Sequence, residues 1–466
     1  MKEKIHIIGV CGTGMGGLAV LFKRNGFEIT GSDSVFYPPM SEQLLRFNIK
    51  YQGFSSENVR DSDIVIVGNA VSKNNPEVQE SLALNKKIMS LPEALNNFFI
   101  KDKRLIVVTG THGKTTTSSM ISWILSFAGK KPSFLVGGIP VNFEVSAFSD
   151  DGDFFVLEGD EYDTAYFDKR PKIFHFFPER AIIGSIEYDH ADIYPDFKTY
   201  SNTFERFSSQ IKYLGCFYEN PETLRIMNLM KNEIKKVTFG LNTGDFRVDK
   251  EDIKYYENGI SFHIHYNGKK ENIYIPIFGH HNALNAAAAF SVLHDIVQPP
   301  TFSIAMEKFK GVRRRLEILI RDTEKNIVVI DDFAHHPTEV RAGIEAVKKH
   351  RRGRVIAVFE PRSHTARRRV YQQDYKKVFS LADSVFIYRI YKAETVKDEE
   401  RLNPKEIVEY VKSKGKDAFY VESELSEKIL DYIKPGDTVI FMSSGDFDRE
   451  IQKFKNLYES VKVKLF

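Results

Sequence analysis

The sequence predicts an α/β protein of three domains, and three observations carry that reading. At 466 residues the chain exceeds what one hydrophobic core usually supports. Short β-branched runs alternate with helical patterns over the first hundred residues, and the alternation restarts twice further on. Glycine-rich turns stand at two strand-to-helix junctions, where parallel β-α-β units carry their binding loops.

The first domain, residues 1–103, has strand-like runs at 5–10, 28–31 and 63–68 and a helical pattern over 18–24, the order of a Rossmann-like unit. The charge run Lys101-Asp102-Lys103-Arg104 reads as a linker. The second domain, residues 104–312, opens with a strand at 105–109 and a helix over 116–127, then strands at 154–157 and 181–186. Alternation across 254–277 predicts added antiparallel strands, and a helix over 282–294 follows. After Pro299-Pro300 and a basic turn at 311–315, strands at 327–330, 355–359, 384–388 and 437–442 make a third domain, residues 313–466, again Rossmann-like.

Composition narrows the function. Apolar residues make up 42% and charged residues 28%, the balance of a soluble globular protein. Sixty-six Lys plus Arg against 63 Asp plus Glu leave a net charge of +3, too little for the field of a nucleic-acid binder, so no nucleic-acid partner is expected. Two cysteines, Cys11 and Cys216, are too few for a disulfide framework, and a reducing compartment is expected. The opening run passes directly into a strand without a leader-like apolar stretch, and no segment reaches the roughly 18–20 apolar residues of a membrane span. A cytoplasmic protein with no membrane partner is the expectation.

The strongest motif is Gly110-Thr111-His112-Gly113-Lys114-Thr115-Thr116, set between the strand at 105–109 and the helix that follows. Its glycines let backbone N–H groups and a helix N-terminus face a phosphate, Lys114 can reach the β/γ oxygens from the loop surface, and Thr115 can hold Mg²⁺. This predicts a P-loop ATPase-like second domain that binds ATP, although Val108 stands where the common form has its first glycine. Two later strand ends run into Glu158 and into Glu187, Asp189 and His190, and ligands gather at such ends of a parallel sheet. Singly, these acids read as caps or solvated charges. Together, Thr115, Glu158 and His190 make a candidate metal group.

In the first domain, Gly12-x-Gly14-x-x-Gly17 follows a strand and opens a helix, and Asp33 ends the next strand. The turn fits the pyrophosphate of NAD, with Asp33 on a ribose, and equally that of a UDP-sugar. Cys11 and Trp123 read as packing residues. Three further segments, Gly279 to Asn285, Arg313-Arg314-Arg315 and Asp331 to Thr338, contain amides for an adenine edge, arginines for a phosphoryl group and an aspartate for a ribose. Each alone also reads as a cap or a turn.

Taken in order, GTHGKTT, EGDE, IEYDH, GHHNALN, GVRRRLE and DDFAHHPTE resemble the Mur ligases, ATP-dependent enzymes that build the peptide of peptidoglycan on UDP-N-acetylmuramate. The resemblance spans nearly the whole chain. It implies Lys114, His190 and Arg315 as catalytic residues. ATP would meet Gly110 to Thr116, Asn282 and Asn285 at adenine, Arg314 and Arg315 at phosphate, and Asp332 and His335 from the third domain. Thr115, Glu158 and His190 would bind Mg²⁺, while Gly12, Thr13, Gly14, Met15 and Asp33 would face the UDP part. Some members carry a carbamoylated lysine after the metal histidine; here that neighbourhood reads Thr203-Phe204-Glu205, so the modification is not expected.

Within the family, one branch adds L-alanine to UDP-N-acetylmuramate and another attaches the murein tripeptide L-Ala-γ-D-Glu-meso-diaminopimelate in recycling. GSDSVFYPPMS at 31–41, EGDEYDTAYFDKR at 158–170 and FEPRSHT at 359–365 are similar to the second branch. The alanine-adding branch typically has Ser where Tyr162 stands and Tyr-Gly in place of Phe333-Ala334. Arg362, just beyond the strand at 355–359, is the candidate grip for a peptide carboxylate. The cluster Arg367-Arg368-Arg369, otherwise read as a solvated face, is its rival. The nucleotide residues come from two domains, which implies closure of the third over the second.

Overall fold

Five strands of the first domain form an all-parallel sheet, with Lys4–Ile8 between Glu28–Ser32 and Ile64–Val67, and Lys50–Gln52 and Lys87–Ser90 at the edges. The computed structural model describes residues 3–36 and 39–463. Tyr37 and Pro38, inside the quoted segment 31–41, lie outside the described residues, as do 1–2 and 464–466. The helix Thr13–Arg24 begins five residues before its apolar run, because the glycines of its first turn hide the period, and it buries every residue from Met15 to Phe22. Leu18→Ala in that face would cost about 2–5 kcal/mol.

The second sheet has eleven strands. Arg104–Thr109 lies parallel between Phe154–Glu158 and Arg180–Ile183, so three strand ends open on one side of the glycine loop. The expected strand at 181–186 stops at Ile183, since Gly184 leaves the ladder to lie against the loop; a Cβ on Gly110 would sit 2.8 Å from the Gly184 nitrogen. At the far end Lys254–Tyr256, Gly259–Tyr266 and Lys269–Ile275 pair antiparallel, as their alternation predicts.

The third sheet runs Glu317–Asp322, Ile327–Asp332, Thr438–Met442, Val355–Phe359, Ser384–Tyr388, Asp417–Val421, all parallel except the first. Its first and last strands are not evident in the sequence, because each is exposed at alternate or edge positions. One hydrophobic cluster runs through both the first and second domains, joining Leu18 and Phe22 to Leu135, Phe155 and Tyr200. The third domain is built on two further clusters, one of which takes in Phe278 of the second domain. Among the described residues no helix is long and apolar enough to cross a membrane.

Candidate active site

The glycine loop is shaped by two residues in left-handed backbone, Gly110 (φ +117°) and Gly113 (φ +78°), where a side chain is strained. Gly113 caps the helix Lys114–Phe127, so the loop ends on free backbone N–H groups. Behind the loop, Thr111 donates its N–H to Ser185 O at 2.7 Å, and its hydroxyl binds the Glu187 carbonyl at 2.9 Å. Lys114 is not the surface lysine expected. Its ammonium is folded inward on Gly110 O (2.6 Å), Thr111 O (3.3 Å) and Glu161 Oε1 (3.1 Å).

Glu161 is the residue that sequence reasoning missed. Fully buried, its Oε1 also accepts from Tyr200 (2.9 Å) and lies 3.1 Å from His190 Nε2, while Oε2 has no partner. Burial pushes its carboxyl up, yet the Lys114 charge and the His190 contact outweigh this and hold it below the usual range. Burial likewise opposes charge on His190, but the bond to Glu161 raises its pKa overall. Its only sequence signal is a third acid in EGDE, and nothing in the run says which acid turns inward.

Thr115 Oγ1 donates to Glu158 Oε1 at 3.0 Å, and the Gly137 N–H reaches Glu158 Oε2 at 2.6 Å. A Cβ on Gly137 would lie 2.6 Å from the Glu158 carboxylate, so the close approach requires glycine. This hydroxyl–carboxylate pair is a hard-oxygen donor set that fits Mg²⁺. His190, in left-handed backbone (φ +55°) and packed on the Tyr162 ring at 4.3 Å, presents Nε2 to Glu161, and it joins the pair only by releasing that bond.

A cleft of ≈330 Å³ opens beside the loop between the second and third domains. Ile182, Phe217, Phe239 and Leu284 give it apolar walls, and His112, Thr115, Arg315 and Asp332 line it with polar groups. Gly113, Thr116, Asn282 and Asn285 also line it. Asn285 donates to Asn282 Oδ1 at 3.0 Å, and Asn282 donates to Phe278 O at 2.6 Å, so the amides are oriented by each other. Arg315 Nη2 is 3.4 Å from Thr115 Oγ1, and its guanidinium lies over the Phe333 ring at 4.7 Å. Burial pushes the Asp332 carboxyl up to about 7 against the pull of Arg315.

Arg314 does not reach this cleft. The turn places it in left-handed backbone (φ +59°), and its side chain goes into the third domain, to Asp331 (3.2 Å), Ser443 O (2.9 Å) and the Gly445 carbonyl. His335 stands at the domain junction, with Nδ1 3.1 Å from Phe333 O and Nε2 4.0 Å from Asp189 Oδ2. Arg362 lies over the Tyr391 ring at 4.0 Å and is shared by Asp446 (3.0 Å), Glu360 (3.4 Å) and Asp448 (3.6 Å). Arg367 is not solvated: it is 6% exposed and donates to Thr395 Oγ1 at 2.8 Å, which ties together the loop after Ser384–Tyr388.

In the first domain Gly12 caps the helix Thr13–Arg24, with Gly12 and Thr13 exposed and Gly14 against Leu91. Met15 is buried, with its side chain against Gly12 and Gly68. Asp33 accepts from Cys11 N (2.9 Å) and Ser34 N (2.7 Å), which fixes the turn after its strand. Cys11 and Cys216 are both free and buried, and burial, then for Cys11 the Asp33 charge, pushes each thiol up to about 12. Trp123 packs as expected, donating to Ala305 O at 2.8 Å.

Comparison with known proteins accords with this geometry. Residues 4–102, 108–293 and 314–445 match, in order, the families described as Mur ligase family, catalytic domain; Mur ligase middle domain; and Mur ligase, glutamate ligase domain. The chain is 35% identical over 460 residues to the UDP-N-acetylmuramate–L-alanyl-gamma-D-glutamyl-meso-2,6-diaminoheptandioate ligase of Escherichia coli (strain K12), covering 97% of both. It is 31% identical over 463 residues to the UDP-N-acetylmuramate–L-alanine ligase of Clostridium botulinum (strain Loch Maree / Type A3), covering 98% of both. The crystal structure of UDP-N-acetylmuramate-alanine ligase from Thermotoga maritima is similar with a TM-score of 0.83 at 27% identity, over 98% of this chain and 100% of that one.

Proposed function

The chain belongs to the Mur ligase family, ATP-dependent ligases that form an amide bond, and on that premise we propose that it attaches the murein tripeptide to UDP-N-acetylmuramate in peptidoglycan recycling. The lactyl carboxylate of the sugar nucleotide is joined to the amine of L-Ala-γ-D-Glu-meso-diaminopimelate. The observation that carries this reading is the meeting of Thr115, Arg315 and Asp332 in one cleft, beside Lys114 and Glu158. The greater identity to the tripeptide ligase, 35% against 31%, supports that branch. Residues 1–103, 104–312 and 313–466 are taken as sugar-nucleotide, ATP and peptide domains.

A carboxylate resists attack because an oxide would have to leave. Phosphorylation by ATP makes that oxygen a leaving group, and the amine displaces phosphate through a tetrahedral intermediate. Loop N–H groups and Lys114, released from Glu161, hold the phosphates, while Arg315 stabilises charge on the transferring phosphoryl. Asn282 and Asn285 orient adenine and Asp332 the ribose, with His335 beside it. Thr115, Glu158 and, after it leaves Glu161, His190 would hold a divalent cation, taken as Mg²⁺, which when bound neutralises phosphate charge. The Gly12 to Met15 turn and Asp33 hold the UDP part, and Arg362 takes a peptide carboxylate by exchanging an acidic partner. Arg314 acts only by fixing the turn that presents Arg315.

The test is ADP release with defined substrates. Release that requires both UDP-N-acetylmuramate and tripeptide is the expected result. Dependence on L-alanine instead would establish the second reading, an alanine-adding ligase, which the 0.83 TM-score to the Thermotoga enzyme favours. Substrate-independent hydrolysis would overturn both in favour of a nucleotide-gated binding protein.

A further inference from the structure

At the junction of the second and third domains, His112 of the glycine loop and Glu187 meet the start of the helix Pro337–His350, where His336, Thr338 and Glu339 stand. One ligand atom each from His112, Glu187 and His336 lies within 4.8 Å of the others. His112 Nε2 is 3.3 Å from Glu187 Oε2 yet is buried and forms no hydrogen bond. His336 is 4% exposed, and its Nε2 is also unpartnered. Each ring's Nδ1 is engaged, with Glu339 for His112 and with the Thr338 N–H for His336, but buried polar nitrogens are normally paired, so two Nε2 atoms without partners beside one carboxylate are unusual.

We propose that His112, Glu187 and His336 form a site for a borderline-soft divalent cation of the Zn²⁺ type, ligated from both domains. Two imidazoles and a carboxylate are the protein ligands of open Zn²⁺ sites, and such a set is poorly suited to Mg²⁺. The surroundings are those of a ligated histidine. His112 Nδ1 lies 3.1 Å from Glu339 Oε1; a carboxylate there accepts, so the hydrogen sits on Nδ1 and the Nε2 lone pair is left for a cation. Thr338 Oγ1 donates to Glu187 Oε2 at 2.6 Å and orients that carboxylate.

The site uses none of the oxygen donors at Thr115 and Glu158. Because His112 belongs to the phosphate loop and His336 opens a third-domain helix, an occupied site pins the two domains together.

The test is metal binding by the full-length chain after chelation, read by Zn²⁺ calorimetry and by the visible spectrum of Co²⁺, both in excess Mg²⁺. One equivalent should bind, undisplaced by Mg²⁺, and Co²⁺ should give the intense bands of low coordination. His336→Asn keeps a good helix cap while removing the ring nitrogens. That variant and Glu187→Gln should each weaken Zn²⁺ binding by about tenfold or more, with melting curves in chelator matching wild type. If one variant fails to fold, the other and the wild-type Co²⁺ spectrum decide. No Zn²⁺ uptake by wild type, a six-coordinate Co²⁺ spectrum, or wild-type affinity in the folded variants would overturn the proposal and leave a proton-bridged contact between domains.

Discussion

Lys114 Nζ and Glu161 Oε1 are 3.1 Å apart, and the pair is closed off from water, with 16% and 0% of the two side chains exposed. In this arrangement the lysine proposed to bind phosphate is also the counter-ion of a buried carboxylate. Lys114→Ala therefore does two things. Ligation should fall below detection, and stability should drop by a few kcal/mol, about 3 or less, because the buried Glu161 loses its lysine counter-ion and keeps only Tyr200 and His190. Adding Glu161→Gln should restore the melting temperature without restoring ligation. A folded Lys114→Ala enzyme with near-normal turnover would remove the loop assignment.

His190→Ala should raise the Mg²⁺ concentration for half-maximal turnover by about tenfold or more, while UDP-N-acetylmuramate binding without ATP changes little. The expectation rests on the place of His190 between Tyr162 and Glu161, whose carboxylate also holds Lys114. Equal losses in the two measurements would make it a structural residue.

For Arg362→Ala, the expected change is a rise in tripeptide KM of about tenfold or more, the loss of a charge-assisted contact of about 1.5–3 kcal/mol, with ATP KM unchanged. Its three acidic neighbours sharpen the prediction. Asp446→Asn frees the guanidinium from a competitor and should lower the tripeptide KM. Parallel rises in both KM values would move attention to another arginine.

The pH dependence of stability should report on Asp332. Burial lifts its carboxyl to about 7 in the folded chain, against an unfolded value of about 3.9. The folded state then holds a proton that the unfolded state has released, so this contribution is complete below about pH 4 and is lost as pH rises through 7. Asp332→Asn should raise the melting temperature of the nucleotide-free protein more at pH 8 than at pH 5. A difference independent of pH would show that the carboxyl is not held neutral.

Much of the site was legible where chemistry coincides with local pattern. The glycine loop is bounded by an apolar strand and a helix, so Gly110 and Gly113 announce a turn before any contact is known. Arg314 and Arg315 were not separable, because adjacent residues of a turn point apart according to φ angles that the sequence does not display. Glu161 and Glu339 escaped notice because their partners lie 47 and 227 residues away, at Lys114 and His112, and Glu187, though visible at its strand end, gave no sign of meeting His112 75 residues earlier. The burial of Arg367 was hidden for the same reason: three arginines in a row look alike until Thr395 is brought against the first.

The hydrophobic cluster from Leu18 through Phe155 to Tyr200 makes the first two domains a single chassis. The third hangs on the turn that contains Gly311, Arg314 and Leu316, all in left-handed backbone at φ of 83°, 59° and 51°. For the proposed reaction, the sugar nucleotide and the glycine loop thus ride on one frame at fixed spacing, and the amine is the cargo that travels. Damage to that turn should delay delivery of the nucleophile and loosen the third-domain side of the ATP cleft while leaving the seat of the sugar nucleotide undisturbed.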